Sequence, residues 1–172
     1  MAETSKIVDG FLFMPPALRA WISKDIPEQP FSGQIPWTPL GKSIRETTFS
    51  LITTAGISMR SDPPFDMERE KDEPAWGDPS YREIPKTATE RDIEVSHLHI
   101  NTTHIKQDIN VMLPLTRFQE FEQQGLIGKL APTCYSYYGF QLDPTALLDE
   151  TMPKVADRMR HENVEAVLLT PA

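Results

Sequence analysis

Residues 47–57 read TTFSLITTAGI and give the first clear strand signal in the chain. Threonine and isoleucine favour extended backbone, and apolar residues are nearly continuous around Phe49, Leu51 and Ile52. A short continuous apolar run is typical of a strand that is covered on both faces, as in a parallel sheet. Residues 164–170, VEAVLLT, show the same buried-type pattern, so we expect a second strand of this kind near the C-terminus.

Helical signals lie between these two runs. Thr116 and Gln119 have the spacing of a capping box, which predicts a helix over 116–124, and Gly125 stands at its stop position. Val155 and Met159 then form an apolar stripe at helical spacing.

A third strand is predicted over 93–100, where IEVSHLHI alternates between apolar and polar residues. Helices placed between strands predict an α/β layered fold with a mostly parallel sheet. The given sequence stops at the tip of its last strand, without the helix that normally crosses back over a parallel sheet. We therefore expect an incomplete doubly wound domain, truncated at its C-terminal end.

Proline placement predicts the domain organisation. Sixteen of the 172 residues are proline, against a usual share of about 5%. Six prolines within the first forty residues exclude any long helix there, although 18–22 suit one short helical piece. We therefore expect a proline-rich arm over 1–44 and an α/β domain over 45–172. Residues 58–91 show no periodicity and are expected to form a long loop.

Composition excludes several classes of protein. The net charge is −8, from 25 acidic and 17 basic residues, so phosphate backbones repel the chain and nucleic acid is not an expected partner. No run approaches the roughly 18 apolar residues of a membrane span, and residues 1–10 do not form a signal peptide. A cytoplasmic protein is therefore expected. The single cysteine, Cys134, excludes an internal disulfide, and its aromatic neighbours suggest a buried, inert thiol.

A series of short motifs runs in order along the chain. The motifs are TTAGI at 53–57, PF at 64–65, GDPSYREIP at 77–85, SHLH at 96–99, DIN at 108–110, Pro114, GLIGKLA at 125–131 and AVLLTP at 166–171. The ordered series resembles the selenoprotein B subunits of the glycine, sarcosine and betaine reductases and the related D-proline reductase subunit. The resemblance covers about residues 45–172.

The resemblance implies an oxidoreductase subunit that works with partner reductase subunits. Such a subunit cleaves a carbon–nitrogen bond in a small amino-acid-like substrate by selenol and thiol chemistry, in which the reactive form is the anion. In that family the last strand leads directly into a loop that bears selenocysteine or cysteine. We therefore expect the catalytic residue just after Ala172, at an in-frame UGA codon. No cofactor is expected within the 172 residues, and the given chain is expected to be inactive alone.

His97 and His99 are the first candidate site residues, because residues two apart on a strand share a face. They could hold a substrate carboxylate, donate a proton or form part of a metal site. The alternative is a pair of ordinary histidines on a half-polar strand. His104 is expected to be structural or solvated.

Five further residues are predicted to bind substrate. Asp108 and Asn110 could orient a histidine or bind a substrate amine, or they could simply cap a loop. In the long loop, Asp78 accompanies Arg82, whose guanidinium could clamp a substrate carboxylate or fix the loop through a salt bridge. Gly56 could allow a ligand to approach the backbone closely, or could only make a turn.

Two other functions stay open on the sequence. One is a metal-dependent hydrolase built on His97 and His99, with His104 and Asp108. The spacing is a weak signal for a metal, because it fixes no fourth ligand. The other is a non-catalytic binding domain of the same fold.

Overall fold

The computed structural model describes residues 10–25, 38–73 and 76–172. The chain divides into two compact units, Met1–Trp37 and Thr38–Ala172. In the first unit, a short 3₁₀ helix at Gly10–Phe13 precedes helix α1, Pro16–Asp25. The short helical piece expected around residues 18–22 is thus confirmed. The other predictions for the proline-rich arm fall partly outside the described residues, and the boundary at 44/45 stays a prediction.

The second unit is built on a five-stranded, mostly parallel sheet. Its strands are β1 (Thr48–Thr53), β3 (Tyr81–Pro85), β5 (Lys129–Leu130), β6 (Thr133–Tyr137) and β7 (Ala166–Thr170). Strand β1 pairs in parallel with β5, β6 and β7. Phe49 pairs with both β5 and β7, and Ile52 and Thr53 pair with both β6 and β7, so β7 lies on the opposite side of β1 from β5 and β6. Strand β3 pairs antiparallel with β6. The predicted mixed α/β fold with a mostly parallel sheet is confirmed.

Apolar residues cover both faces of this sheet, which explains the continuous apolar run in β1. Leu51 is fully buried in a core with Ile84, Leu130 and other residues. Its neighbour Ile52 points to the opposite face and packs with Tyr135 and Val155. Successive side chains of a strand point to opposite faces, so a layer of structure on each side buries both residues.

The long loop predicted over residues 58–91 is wrong. Residues Ile57–Met59 form strand β2, which pairs antiparallel with β4, Ile93–Val95. Helix α2, Met67–Asp72, and strand β3 lie between them. Short elements of three to six residues are too brief to show a hydrophobic period, which is why no pattern was visible.

The strand predicted over residues 93–100 is also shorter than expected. It ends at Val95, which pairs with Ile57, the first residue of the partner strand. Gly56, before Ile57, has a φ of +65°, which is not extended backbone. His97 and His99 therefore follow the strand and do not lie on it.

Three helices complete the unit. They are α3 (Thr103–Gln107), α4 (Leu115–Gln123) and α5 (Met152–His161), the last preceded by a π-helical turn at Leu147–Thr151. The helix predicted over 116–124 is confirmed, as is its end at Gly125, which has φ +65°. Its capping box is not: the Gln119 side chain donates to the Lys86 carbonyl oxygen instead. Among the described residues, no helix is long and apolar enough to cross a membrane.

Strand β7 is not the buried strand that its sequence predicted. The side chains of Val167, Leu168 and Leu169 are 40%, 37% and 64% exposed. Val167 and Leu169 face one side of the sheet and Leu168 faces the other, so both faces of β7 are exposed. Within the described part of the chain, β7 pairs with β1 alone.

Candidate functional site

The carboxyl ends of three parallel strands meet at one edge of the sheet. Thr54 follows β1, Tyr138 and Gly139 follow β6, and Ala172 follows β7. The Gly139 amide donates to the Thr54 carbonyl oxygen at 3.0 Å, and the Ala172 amide donates to the Thr54 hydroxyl at 2.7 Å. Ligands of open α/β sheets bind at this edge, so the side chains that border it form the candidate site.

His97 packs on this edge through Tyr138. The centroids of the two rings are 4.6 Å apart, and His97 is half-buried. Burial, and then the charge of nearby His99, lower the pKa of His97 to about 4. His97 Nδ1 accepts a hydrogen bond from the backbone amide of His99 at 3.1 Å. His97 is therefore neutral near pH 7, with its proton on Nε2.

His99 lies beside His97, with the two ring centroids 6.0 Å apart and the planes nearly perpendicular. Its ring packs on Phe140 at 4.2 Å, and about half of its side chain is exposed. The structure thus brings the two predicted histidines together at an accessible surface.

Glu70 lies behind His99. The Glu70 side chain is only 3% exposed, and its Oε1 is 2.6 Å from His99 Nε2. The second oxygen, Oε2, is buried and has no hydrogen-bond partner in the described structure. A buried carboxyl group is costly unless it is hydrogen-bonded, and His99 Nε2 is the group that contacts Glu70 Oε1.

Tyr138 forms the floor of this cluster. It is fully buried between Phe65 and Phe140. Burial, followed by the adjacent Glu70 carboxylate, raises the pKa of Tyr138. Its hydroxyl therefore stays protonated, and it is available only as a neutral donor or acceptor.

Asp78 supports the cluster from outside it. Its carboxylate accepts hydrogen bonds from the amides of Asp66 and Ser80, at 2.9 and 2.8 Å. Asp66 is the N-cap of helix α2, the helix that carries Glu70. Asp78 therefore fixes the start of that helix, and its two oxygens are already occupied.

Arg82 is occupied in a similar way. Its guanidinium donates to the carbonyl oxygens of Pro63 and Pro64 at 2.8 and 3.0 Å, and it stacks over Phe65 at 4.3 Å. It fixes the segment before α2 through carbonyl oxygens, not through the salt bridge considered from the sequence.

Gly56 joins the cluster through the backbone. The Ser96 amide donates to the Gly56 carbonyl oxygen at 2.9 Å. A Cβ at position 56 would lie 2.2 Å from the Ser96 carbonyl oxygen. Glycine is required here for close approach of protein backbone, and the approach places Ser96 next to His97.

Asp108 and Asn110 form no hydrogen bond with His97 or His99 in the described structure. Asp108 Oδ1 accepts from the amide of Asn110. Asn110 Oδ1 in turn accepts from the amide of Thr116 at 2.9 Å, where α4 begins. The pair organises the start of that helix, which is the role that the proposed capping box would have filled.

The single thiol of the sequence lies in the core of the sheet unit. Cys134 is fully buried, and burial raises its pKa to about 12. The expectation that Cys134 is buried is confirmed, and its inertness stays a prediction.

No group of three or more His, Cys, Asp or Glu side chains in the described ranges could hold a metal ion. An open depression of about 380 Å³ borders the cluster and is lined by Ser96 and by residues 64–68. Two larger grooves of about 720 and 730 Å³ lie along the 38–44 segment and along β3. His97 and His99 line none of these three spaces, so the histidine pair is an exposed surface feature that follows Ser96 in the chain.

Glu70 and Thr54 were not identified from the sequence. Glu70 belongs to MEREKD, a charged run that reads as a solvated helix face, and nothing local marks it as buried. Thr54 was noted only as part of the first strand's end. Their roles depend on residues distant in the chain, His99 for Glu70 and Ala172 for Thr54.

Fold and site together define a class: an α/β protein with a histidine pair placed beyond the carboxyl ends of a parallel sheet. Within that class, residues 26–172 match the family described as glycine/sarcosine/betaine reductase selenoprotein B. The chain belongs to this family, and the resemblance carried by the motifs is confirmed.

Two curated relatives support the assignment. The chain is 34% identical over 134 residues to the D-proline reductase subunit gamma of Acetoanaerobium sticklandii, covering 78% of this chain and 52% of the relative. It is 26% identical over 143 residues to the glycine reductase complex component B subunit gamma of Carboxydothermus hydrogenoformans, covering 82% of this chain and 32% of that relative. The chain thus spans about half the length of the first relative. No solved structure matches.

Proposed function

We propose that the chain is the substrate-binding portion of a reductase subunit that cleaves a carbon–nitrogen bond in a small amino-acid-like compound. The observation that carries the proposal is the accessible His97–His99 pair, which packs on Tyr138 at the carboxyl edge of the sheet. Family membership and the names of the two relatives support a role in a multi-subunit reductase.

The reductive nucleophile is supplied from outside these 172 residues. Cys134 is the only cysteine in the sequence, and its thiol is fully buried with a raised pKa. A selenol or thiol that reacts as an anion needs access and a low pKa. We propose that this group approaches the carboxyl edge near Thr54.

The proposed reaction balances with a dithiol as the reductant. The selenolate or thiolate attacks the carbon that bears the amine, the carbon–nitrogen bond breaks, and the amine leaves with its electron pair and takes up a proton. The carbon–selenium or carbon–sulfur bond is then cleaved by two electrons from the dithiol, which becomes a disulfide, while the carbon gains a proton. The net change is replacement of the carbon–nitrogen bond by a carbon–hydrogen bond, with formation of a disulfide. The amine is released from an acyclic substrate, whereas the ring of D-proline opens.

His97 is suited to bind the substrate carboxylate. It is neutral at pH 7, and it carries a proton on Nε2 because Nδ1 accepts the hydrogen bond of the His99 amide. A half-buried N–H donor forms a stronger hydrogen bond with a carboxylate than an exposed one, because water competes less.

The test is an assay of the complete subunit with its partner subunits and a dithiol. Glycine, sarcosine, trimethylglycine and D-proline are supplied separately. The reduced product, which is deaminated for the first three compounds and ring-opened for D-proline, is measured by mass spectrometry. We expect dithiol-dependent product from at least one compound, and a loss of roughly 100-fold for His97→Ala, since positioning contributes on that order. His161→Ala, at an exposed histidine on α5, serves as the matched control and keeps full activity.

Absence of product from all four compounds would contradict the proposed reaction. Equal losses in the His97 and His161 variants would show that the histidine pair is not the binding site.

A further inference from the structure

Glu70, the buried residue that contacts His99, affects which ring nitrogen of His99 can bind a ligand. Glu70 is 3% exposed, whereas about half of the His99 side chain is exposed. The contact between Glu70 Oε1 and His99 Nε2 is 2.6 Å, which is short even for a charge-assisted hydrogen bond. The contact therefore joins a buried carboxyl group to a half-exposed imidazole.

The contact determines which ring nitrogen of His99 is free. A carboxylate only accepts hydrogen bonds, so with Glu70 as a carboxylate the donor in this contact is His99 Nε2–H. His99 Nδ1 has no hydrogen-bond partner among the residues that the structure describes. In the neutral ring, this nitrogen is an acceptor.

We propose that Glu70 is a positioning residue that commits His99 Nε2 as a donor and leaves Nδ1 to accept an N–H from the amine of a ligand. The inference rests on the proposed function for the identity of the ligand, but the Glu70–His99 interaction can be tested without it.

The two histidines are then complementary in chemistry. His97 Nδ1 is occupied by the His99 amide, so His97 presents Nε2–H as a donor. His99 presents Nδ1 as an acceptor. A donor beside an acceptor matches an amino acid that carries a carboxylate and an amine with at least one N–H. A quaternary amine has no N–H and satisfies only the donor.

Two hydrogen bonds at the N-terminus of α2 hold this helix in place. Asp78 accepts from the amide of the α2 N-cap, Asp66, and Asp66 accepts from the Arg69 amide at 3.0 Å. A helix of six residues is marginal by itself. These contacts hold it where Glu70 reaches His99.

The first experiment uses NMR of the 172-residue chain with ¹⁵N-labelled histidine. It is done at about pH 8, above the ordinary histidine pKa of about 6.5. We expect the His99 Hε2 proton to be visible in water, because a hydrogen bond to a buried acceptor slows its exchange with solvent.

Three variants separate positioning from a purely structural role. Glu70→Leu keeps a similar volume and removes both oxygens, so the Hε2 signal is expected to disappear while the backbone spectrum is retained. Replacing a buried charged group by an apolar one is often neutral for stability. Glu70→Gln keeps one acceptor oxygen and should retain a weaker signal. Glu68→Gln, at a neighbouring side chain that is 84% exposed, should leave the signal unchanged.

The second experiment adds glycine, D-proline or trimethylglycine to the same sample. Glycine or D-proline should shift the ring resonances of both histidines, whereas trimethylglycine should shift only those of His97. In Glu70→Leu, the His99 response to glycine and D-proline should fall by at least half.

The outcomes distinguish this inference from the proposed function. A His99 Hε2 signal that survives in Glu70→Leu would overturn the positioning role, as would a wild-type ring with Nε2 unprotonated. An equal His99 response to trimethylglycine would overturn the acceptor role of Nδ1. If no compound shifts either ring, the substrate assignment of the proposed function fails, and the ring-proton result still decides the role of Glu70.

Discussion

Replacing Gly56 by alanine tests whether close backbone contact holds the histidine segment in place. Gly56 and Gly125 both have φ +65°, where an L-residue costs roughly 1–2 kcal/mol. At Gly56 the new Cβ would also lie 2.2 Å from the Ser96 carbonyl oxygen, whereas at Gly125 it would meet nothing within 4 Å. The two sites therefore share the conformational cost and differ in the clash.

The expected magnitudes follow from these two terms. Forced overpacking costs roughly 1–3 kcal/mol, so Gly56→Ala should lower the free energy of unfolding by about 2–5 kcal/mol, the sum of this range and the conformational cost. Gly125→Ala should lower it by about 1–2 kcal/mol. Stiffening of the unfolded chain is the same in both variants, so the difference between them isolates the clash.

The measurement is urea unfolding at 25 °C followed by circular dichroism, with stability taken from linear extrapolation. An NMR spectrum of Gly56→Ala should also show shifted His97 ring resonances, since Ser96 must move to relieve the clash. Equal losses of stability in the two variants would refute the reasoning, because the backbone contact would then contribute nothing.

Three further predictions concern single groups. Between the His97 pKa of about 4 and the ordinary value of about 6.5, the unfolded state binds a proton that the folded state does not. Stability should therefore fall as the pH drops through this window, and His97→Gln should flatten the fall while His161→Gln does not, as measured by urea unfolding at several pH values. Cys134, with its pKa raised to about 12, should resist iodoacetamide at pH 8 in the folded protein and react fully in urea; mass spectrometry showing rapid native labelling would contradict its burial. Asn110→Ala removes the acceptor for the Thr116 amide and should cost about 0.5–2 kcal/mol; a loss no larger than that of Gln123→Ala, at an exposed position on α4, would argue against a capping role.

Periodic signals predicted the elements that have enough length to show a period. The apolar run around Leu51 and Ile52 predicted a strand covered on both faces, and the Val155–Met159 stripe predicted the buried face of α5. Local patterns predicted side-chain hydrogen bonds less well, because residues distant in the chain compete for the same donors and acceptors. The Thr116–Gln119 spacing fits a capping box. In the structure, however, the Asn110 side chain accepts the hydrogen bond of the Thr116 amide, and the Gln119 side chain donates to the Lys86 carbonyl oxygen.

For strand β7, the sequence predicted more burial than the structure has. Its sequence predicts burial, because Val167, Leu168 and Leu169 are apolar, yet all three are more than a third exposed. An apolar sequence indicates that these residues favour burial. Whether they are buried depends on which other segments pack against the strand.

The sequence by itself predicted the α/β class, the buried-type strands β1 and β7, and the family, because local apolar patterns and an ordered series of short motifs carry them. It also marked His97 and His99, but it placed them on a strand that ends at Val95. Only the tertiary structure decided that Glu70, 29 residues before His99, is buried against it, and that Asp78, Arg82 and Gly56 support the site. The physical reason is that a charged side chain in a short helix has no local mark of burial. Its partner is set by the packing of the whole unit.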